Sequence, residues 1–148
     1  MSLKLPPGNY PGSTAGTSIS AGSVGEFLEA HDFNAGVSTT YATIATLTLT
    51  TGVWLISGAS YSSGNTGVRG QHCRLNIKGT TGATPGKTLL FSFEDILTET
   101  PRLTTTLTFP SQVVVVASGD ANKNIVIESR TSTGTGQFYA YISATRIG

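Results

Sequence analysis

Charge is what this chain has least of. Asp, Glu, Lys and Arg make up 11% of its 148 residues, and nine cations against eight anions leave a net charge of +1. Soluble domains ordinarily carry about a quarter charged residues. So balanced a surface has no long-range field with which to gather a polyanion, which argues against nucleic acid as a partner. Cysteine occurs once, so no disulfide can form within the chain, and Cys73 among apolar-leaning neighbours reads as a buried, inert thiol rather than a nucleophile. No stretch approaches the roughly 18 apolar residues of a membrane helix, and the N-terminal MSLKLPPGNYPG lacks the apolar centre of a signal peptide. The expectation is a chain made and kept soluble, with no membrane partner.

What is abundant points to strands. Thr (24), Gly (18) and Ser (16) supply most of the polar surface, and Thr, being β-branched, suits a pleated, half-exposed position better than a helix. At 15.3 kDa the chain is one domain's worth of core. Residues 1–22, with Pro6, Pro7 and Pro11 among glycines, have no periodicity and read either as a disordered tail or as an extended arm reaching about 70 Å at roughly 3.3 Å per residue. Residues 23–148 read as the folded domain. Nine strand-like segments follow one another there: Val24–Ala30, Tyr41–Thr50, Val53–Tyr61, Gln71–Lys78, Thr88–Leu97, Arg102–Phe109, Gln112–Ser118, Asn124–Arg130 and Gln137–Ile147. Gly, Asn, Pro and Ser-Gly punctuate them, Pro110 included, and one helical turn is expected near Phe93–Leu97. The class is all-β, a sandwich or barrel.

Several strands are apolar on both faces. Phe138, Ala140, Ile142 and Ala144 alternate with Tyr139 and Tyr141, and Ile147 shares the tyrosines' parity. Val113 and Val115 likewise oppose Val114 and Val116, and Val53 and Leu55 oppose Trp54 and Ile56. One face fills the sandwich; the other requires a long loop of the chain or a second subunit. Tyr139, Tyr141, Ile147 and Trp54 are the expected subunit contacts.

Motifs for chemistry fail on inspection. TGATPGKT, residues 81–88, ends like a phosphate-binding loop, but the first required glycine is Thr81, and a strand-like run follows Lys87 where a helix should begin. His31-Asp32 and His72-Cys73 are adjacent pairs, not ligands spaced for one ion. Gly22-Ser23-Val24-Gly25 lacks the leading glycine of a nucleophile elbow. Neither Glu26 with Glu29 nor Glu94 with Asp95 makes an acid and base pair on a regular strand, and these carboxylates read as solvated edge charges. No catalytic residue, metal or cofactor is expected, and the chain reads as a non-enzyme. Arg69, Arg74, Lys78 and Lys87, with His72 nearby, form a basic region suited to an acidic protein partner or a charged glycan.

Three segments carry a resemblance. LTLTTGVWLISGASY (47–61), read as a strand, Gly turn and Trp-bearing strand hairpin, SVGEFL (23–28) as an opening strand, and QFYAYISATRI (137–147) as a closing strand together resemble phage virion domains with a tumour-necrosis-factor-like jelly roll. The resemblance implies a jelly-roll β-sandwich assembled as a homotrimer, without chemistry, in a virion made in the host cytoplasm. It implies either a decoration (cement) protein on the major capsid protein, with the arm reaching over the shell, or a tail-fibre or tail-tip domain binding a glycan or protein receptor on the host surface; a glycan-binding, lectin-like module without a virion is the third reading. Leu3, Leu5 and Tyr10 of the arm, with Arg69, Arg74, Lys78 and Lys87, are the expected partner contacts.

Overall fold

The computed structural model describes residues 22–63, 69–79, 88–95 and 105–148. They form eight strands: β1 (Phe27–Val37), β2 (Ala42–Leu49), β3 (Gly52–Ser63), β4 (Arg69–Gly79), β5 (Thr88–Asp95), β6 (Thr105–Val116), β7 (Lys123–Thr133) and β8 (Gly136–Arg146). Two antiparallel four-stranded sheets result, ordered β1-β8-β3-β6 in front and β2-β7-β4-β5 behind. Of the sequential links only β4 to β5 joins neighbours in one sheet; every other link passes from one sheet to the other. That order is the pair of interlocked Greek keys that defines a jelly-roll sandwich.

Period-two alternation drives the layering. Along β8, Phe138, Ala140, Ile142 and Ala144 are buried while Tyr139 and Tyr141 are exposed, and Ile44, Leu47 and Leu49 of β2 are buried with Thr46 and Thr48 between them facing out. Between the sheets sit Trp54, Ile56, Leu75, Phe109, Ile125, Ile127, Phe138 and Ile142, each burial of such a side chain contributing about 1.5–3 kcal/mol.

The structure corrects five expectations. The opening strand starts at Phe27 rather than Val24 and runs on to Val37, carrying His31, Asp32 and Asn34. Such polar residues suit it because β1 is an edge, where they discourage pairing with another chain. LTLTTGVWLISGASY is no hairpin, because β2 and β3 lie in opposite sheets and Thr50-Thr51 crosses the sandwich. The helical turn is not found at Phe93–Asp95, which belong to β5, and residues 96–97 lie outside the described residues.

Trp54 is not at a surface. It is 0% exposed, its indole N–H donating to the Thr50 carbonyl at 2.9 Å.

The fifth correction concerns Pro110, which does not end a strand. Strand β6 is also an edge, where a missing N–H breaks no ladder. The register passes from Ile56 opposite Gln112 to Gly58 opposite Phe109, so Ser57 alone faces Pro110 and Ser111 in a bulge. One extra residue reverses the alternation: before it Phe109 points inward, after it Val114 and Val116 do, and Val113 and Val115 are left outside at 59% and 54% exposure.

Candidate functional site

Among the described residues, the outer face of the front sheet carries most of the exposed large apolar side chains. The strand registers arrange it in cross-strand rows. At one end Phe33, Tyr139, Tyr61 and Thr106 lie in line, followed by His31, Tyr141, Ala59 and Thr108. A polar row comes next, Glu29, Ser143 and Ser57, with the Ser57 hydroxyl 3.0 Å from that of Ser111. Beyond it Phe27, Thr145, Leu55 and Val113 align, and Val53 opposite Val115 closes the face with Ile147 alongside.

The two ends differ chemically. Phe27, Leu55, Val113, Val115 and Ile147 are exposed hydrocarbon with no polar atom to satisfy in water. At the other end the rings cover one another: Phe33 and Tyr139 have centroids 4.4 Å apart at 30°, and Tyr61 lies 5.7 Å from Tyr139 at 57°. The Tyr141 hydroxyl donates to Glu29 Oε2 at 3.2 Å.

Of the expected subunit contacts, Tyr139 and Tyr141 therefore belong to the aromatic end and Ile147 to the aliphatic end. Trp54 lies on the inner side of the same sheet. Phe27, Leu55, Val113 and Val115 were missing from that expectation. The signal for Leu55 and Val113 was their alternation, which gives two faces without saying which is outside.

The expected basic region is resolved in part. Leu3, Leu5, Tyr10 and Lys87 lie outside the described residues, and of Arg69 only the backbone in β4, opposite Thr133, is described. Arg74 and Lys78 do not form an open cationic patch, because both bind the buried Glu128 on the back sheet. Arg74 Nε donates to its Oε2 at 2.7 Å, as does Asn76 Nδ2, and Lys78 pairs with Oε1. Arg74 also stacks over the Tyr41 ring at 3.7 Å. His72 is buried, its Nε2 2.9 Å from the Ser132 hydroxyl.

Burial pushes the Glu128 carboxyl up, but hydrogen bonds and charge from Lys78 and Arg74 outweigh it and hold the group below the usual carboxylate range. A depressed folded pKa contributes stability above the unfolded value, lost as pH falls through the folded one. Thermal stability is thus expected to decline as pH drops below about 4, and Glu128→Gln, less stable at pH 7, to show a shallower acid decline. Melting temperatures at pH 7 and pH 3 check this.

A second buried pair joins the termini of the domain. Arg146 Nε donates to Glu26 Oε2 at 3.0 Å, Nη2 donates to the Thr50 hydroxyl at 2.8 Å, and Nη1 donates to the Thr51 carbonyl. Its guanidinium lies 4.6 Å over Trp54, and the Gly22 amide donates to the same Glu26 oxygen at 2.7 Å. Glu26 is thus no solvated edge charge. Gly52 is required here: at φ +145° a Cβ would stand 2.6 Å from Arg146 Nη1 and 3.0 Å from the Gly148 carbonyl.

Cys73 is buried, its Sγ within 3.1 Å of Ser129 Oγ and donating to Ser60 Oγ at 3.4 Å, and burial pushes the thiol up against the opposing pull of these hydroxyls. Residue Thr88, following Lys87, opens a strand and not a helix. Among the described residues no three His, Cys, Asp or Glu side chains converge on a metal position, and no helix is long and apolar enough to cross a membrane.

No protein-family model matches the chain, and no curated protein sequence matches it. Among solved structures, one of Eiger TNF from S. frugiperda is similar at 14% identity, over 82% of this chain and 93% of that one, with a TM-score of 0.48. The infectious bursal disease virus VP2 subviral particle is similar at 10% identity and a TM-score of 0.39, over 91% of this chain. The match spans 42% of the VP2 chain.

Proposed function

We propose that this protein is a structural, non-catalytic component of a phage virion: a homotrimer that decorates the capsid, attached to the major capsid protein through its N-terminal arm and the base of its sandwich. The observation that carries the reading is the aliphatic end of the front face. Five large apolar side chains there, Phe27, Leu55, Val113, Val115 and Ile147, stand exposed on a regular sheet, a surface that a subunit interface buries. A closed ring of subunits related by rotation pairs this face with neighbours and leaves the back sheet outward. Three copies then multiply three modest contacts with the shell into avidity. The arm, with Leu3, Leu5 and Tyr10 as anchors, supplies extended backbone and small apolar contacts.

Deletion of residues 1–21 is the direct test. Purified protein mixed with undecorated capsids is expected to co-sediment, and the truncated chain to lose at least about tenfold in binding, since removal of a tethered contact also removes its avidity. Equal binding by the truncated chain confines attachment to the sandwich body; no binding by the full chain rejects the capsid reading. Recognition of a host receptor at the tail is the second reading, favoured by the aromatic end of the same face. Purified protein that blocks phage adsorption would establish it.

A further inference from the structure

The outer face of the back sheet gathers more cations than it neutralises. Tyr41, Arg130 and His72 share one cross-strand row, since Ala42 pairs with Ser129 and His72 with Arg130, and Thr43, Glu128 and Arg74 form the next. Two guanidinium groups therefore meet at one ring: Arg74 lies 3.7 Å and Arg130 5.0 Å from the Tyr41 centroid. Lys78 reaches into the second row, its Nζ bound to Glu128 and donating to the Thr43 hydroxyl at 3.1 Å.

Glu128 does not serve all three cations. Its Oε2 accepts from Arg74 and Asn76, and its Oε1 pairs with Lys78. Arg130 is left out: among the described residues none accepts a hydrogen bond from it, and its Nε is buried without a partner. A buried donor of this kind is rare in native proteins, where water or an ion usually completes the bonding. Two like charges at one ring also repel unless an anion joins them. Glu94, opposite His72 in β5, stands two strand spacings, about 9.5 Å, from Arg130.

We infer that this face is a binding site for a doubly charged tetrahedral oxyanion, a sulfate or phosphate group, held by the guanidinium groups of Arg130 and Arg74. Arg74, Lys78 and Arg130 set three positive charges against the one negative charge of Glu128. The excess matches a dianion and exceeds what a single carboxylate neutralises. The planar arginine fork meets such a group in parallel N–H···O bonds, and contact with Tyr41 holds both forks in place beforehand. Both arginines are half-buried, so each side chain keeps a part facing solvent. The inference goes beyond the capsid reading, and loss of capsid binding leaves it untouched.

The test replaces sodium chloride stepwise by sulfate, phosphate or acetate at constant ionic strength, and follows the arginine Nε–H resonances of the full-length, nitrogen-15-labelled chain. Sulfate or phosphate is expected to shift the Arg130 resonance saturably and to bind at least about tenfold more tightly than acetate, the tighter of the two identifying the group. Arg130→Gln, followed at Arg74, is expected to weaken that binding about tenfold or more. Lys123→Ala removes a cation whose Nζ donates to the Val115 carbonyl instead, and is expected to change it less than about twofold. A shift that never saturates, acetate bound as tightly as either dianion, or an Arg130→Gln chain that binds like the wild type overturns the site. The wild-type titration decides the matter even where Arg130→Gln fails to fold.

Discussion

Val113→Asp combined with Val115→Asp is expected to turn a particle of about three times the 15.3 kDa chain mass into a folded monomer. Both valines lie on the outer side of β6, an edge strand, at 59% and 54% exposure, so the substitutions leave the sandwich core untouched. In an assembly that packs these positions near neighbours, the same carboxylates would be stripped of water beside one another. Like charges juxtaposed at an interface cost several kcal/mol, enough to weaken association by roughly a thousandfold. Light scattering or sedimentation supplies the mass, and circular dichroism shows that the strands persist. Thr46→Asp, an exposed position on the back sheet, is the control and is expected to remain a trimer. A wild-type mass near that of a single chain would sink the trimeric reading, and an undiminished mass for the double variant would move the interface elsewhere.

How much of this was legible in the sequence depends on the range of the interaction. Alternation is a nearest-neighbour property, so β8 could be read almost residue by residue: Phe138, Ala140, Ile142 and Ala144 inward, Tyr139 and Tyr141 outward. Alternation gives two faces without naming the inner one, which is how Trp54 was expected at an interface and found in the core. Pro110 shows the same limit from another side. Its missing N–H marks a break on an interior strand, and only the sheet order reveals an edge where it becomes a bulge that resets the phase.

The LTLTTGVWLISGASY segment carries turn signals that serve equally for a hairpin and for a crossing between sheets. What decides between them is the pairing of β3 with β6 and β8, both far along the chain. The ion pairs were the least legible. Glu128 meets Arg74 across 54 residues and Glu26 meets Arg146 across 120, so in the sequence Glu26 reads as a solvated edge charge and Arg74 and Lys78 as part of an open basic region.

Arg146→Ala is expected to destabilise the domain by about 3–5 kcal/mol, the usual cost of leaving one member of a buried pair without the other. The loss is concentrated because this one guanidinium serves four groups: Glu26, Thr50, Thr51 and the face of Trp54. Glu26→Gln keeps an acceptor for the Gly22 amide and for Arg146 while removing the charge, and is expected to cost less, about 1–2 kcal/mol. Glu26→Leu with Arg146→Met removes both charges together and should recover much of the loss, since a buried pair replaced by packed apolar side chains is often neutral. Urea midpoints at unchanged slope report these differences, and the double variant closes the cycle. Because any subunit association would add to apparent stability, the measurement belongs in the Val113→Asp, Val115→Asp variant, expected to be a monomer, where the pair acts within one chain. If Arg146→Ala costs no more there than an exposed ion pair, under about 1 kcal/mol, the pair is not what fastens β8 to the start of the domain. In that case the backbone bonds from Gly25 N–H to the Arg146 carbonyl and from Arg146 N–H to the Glu26 carbonyl, at 2.7 and 2.8 Å, hold the junction alone.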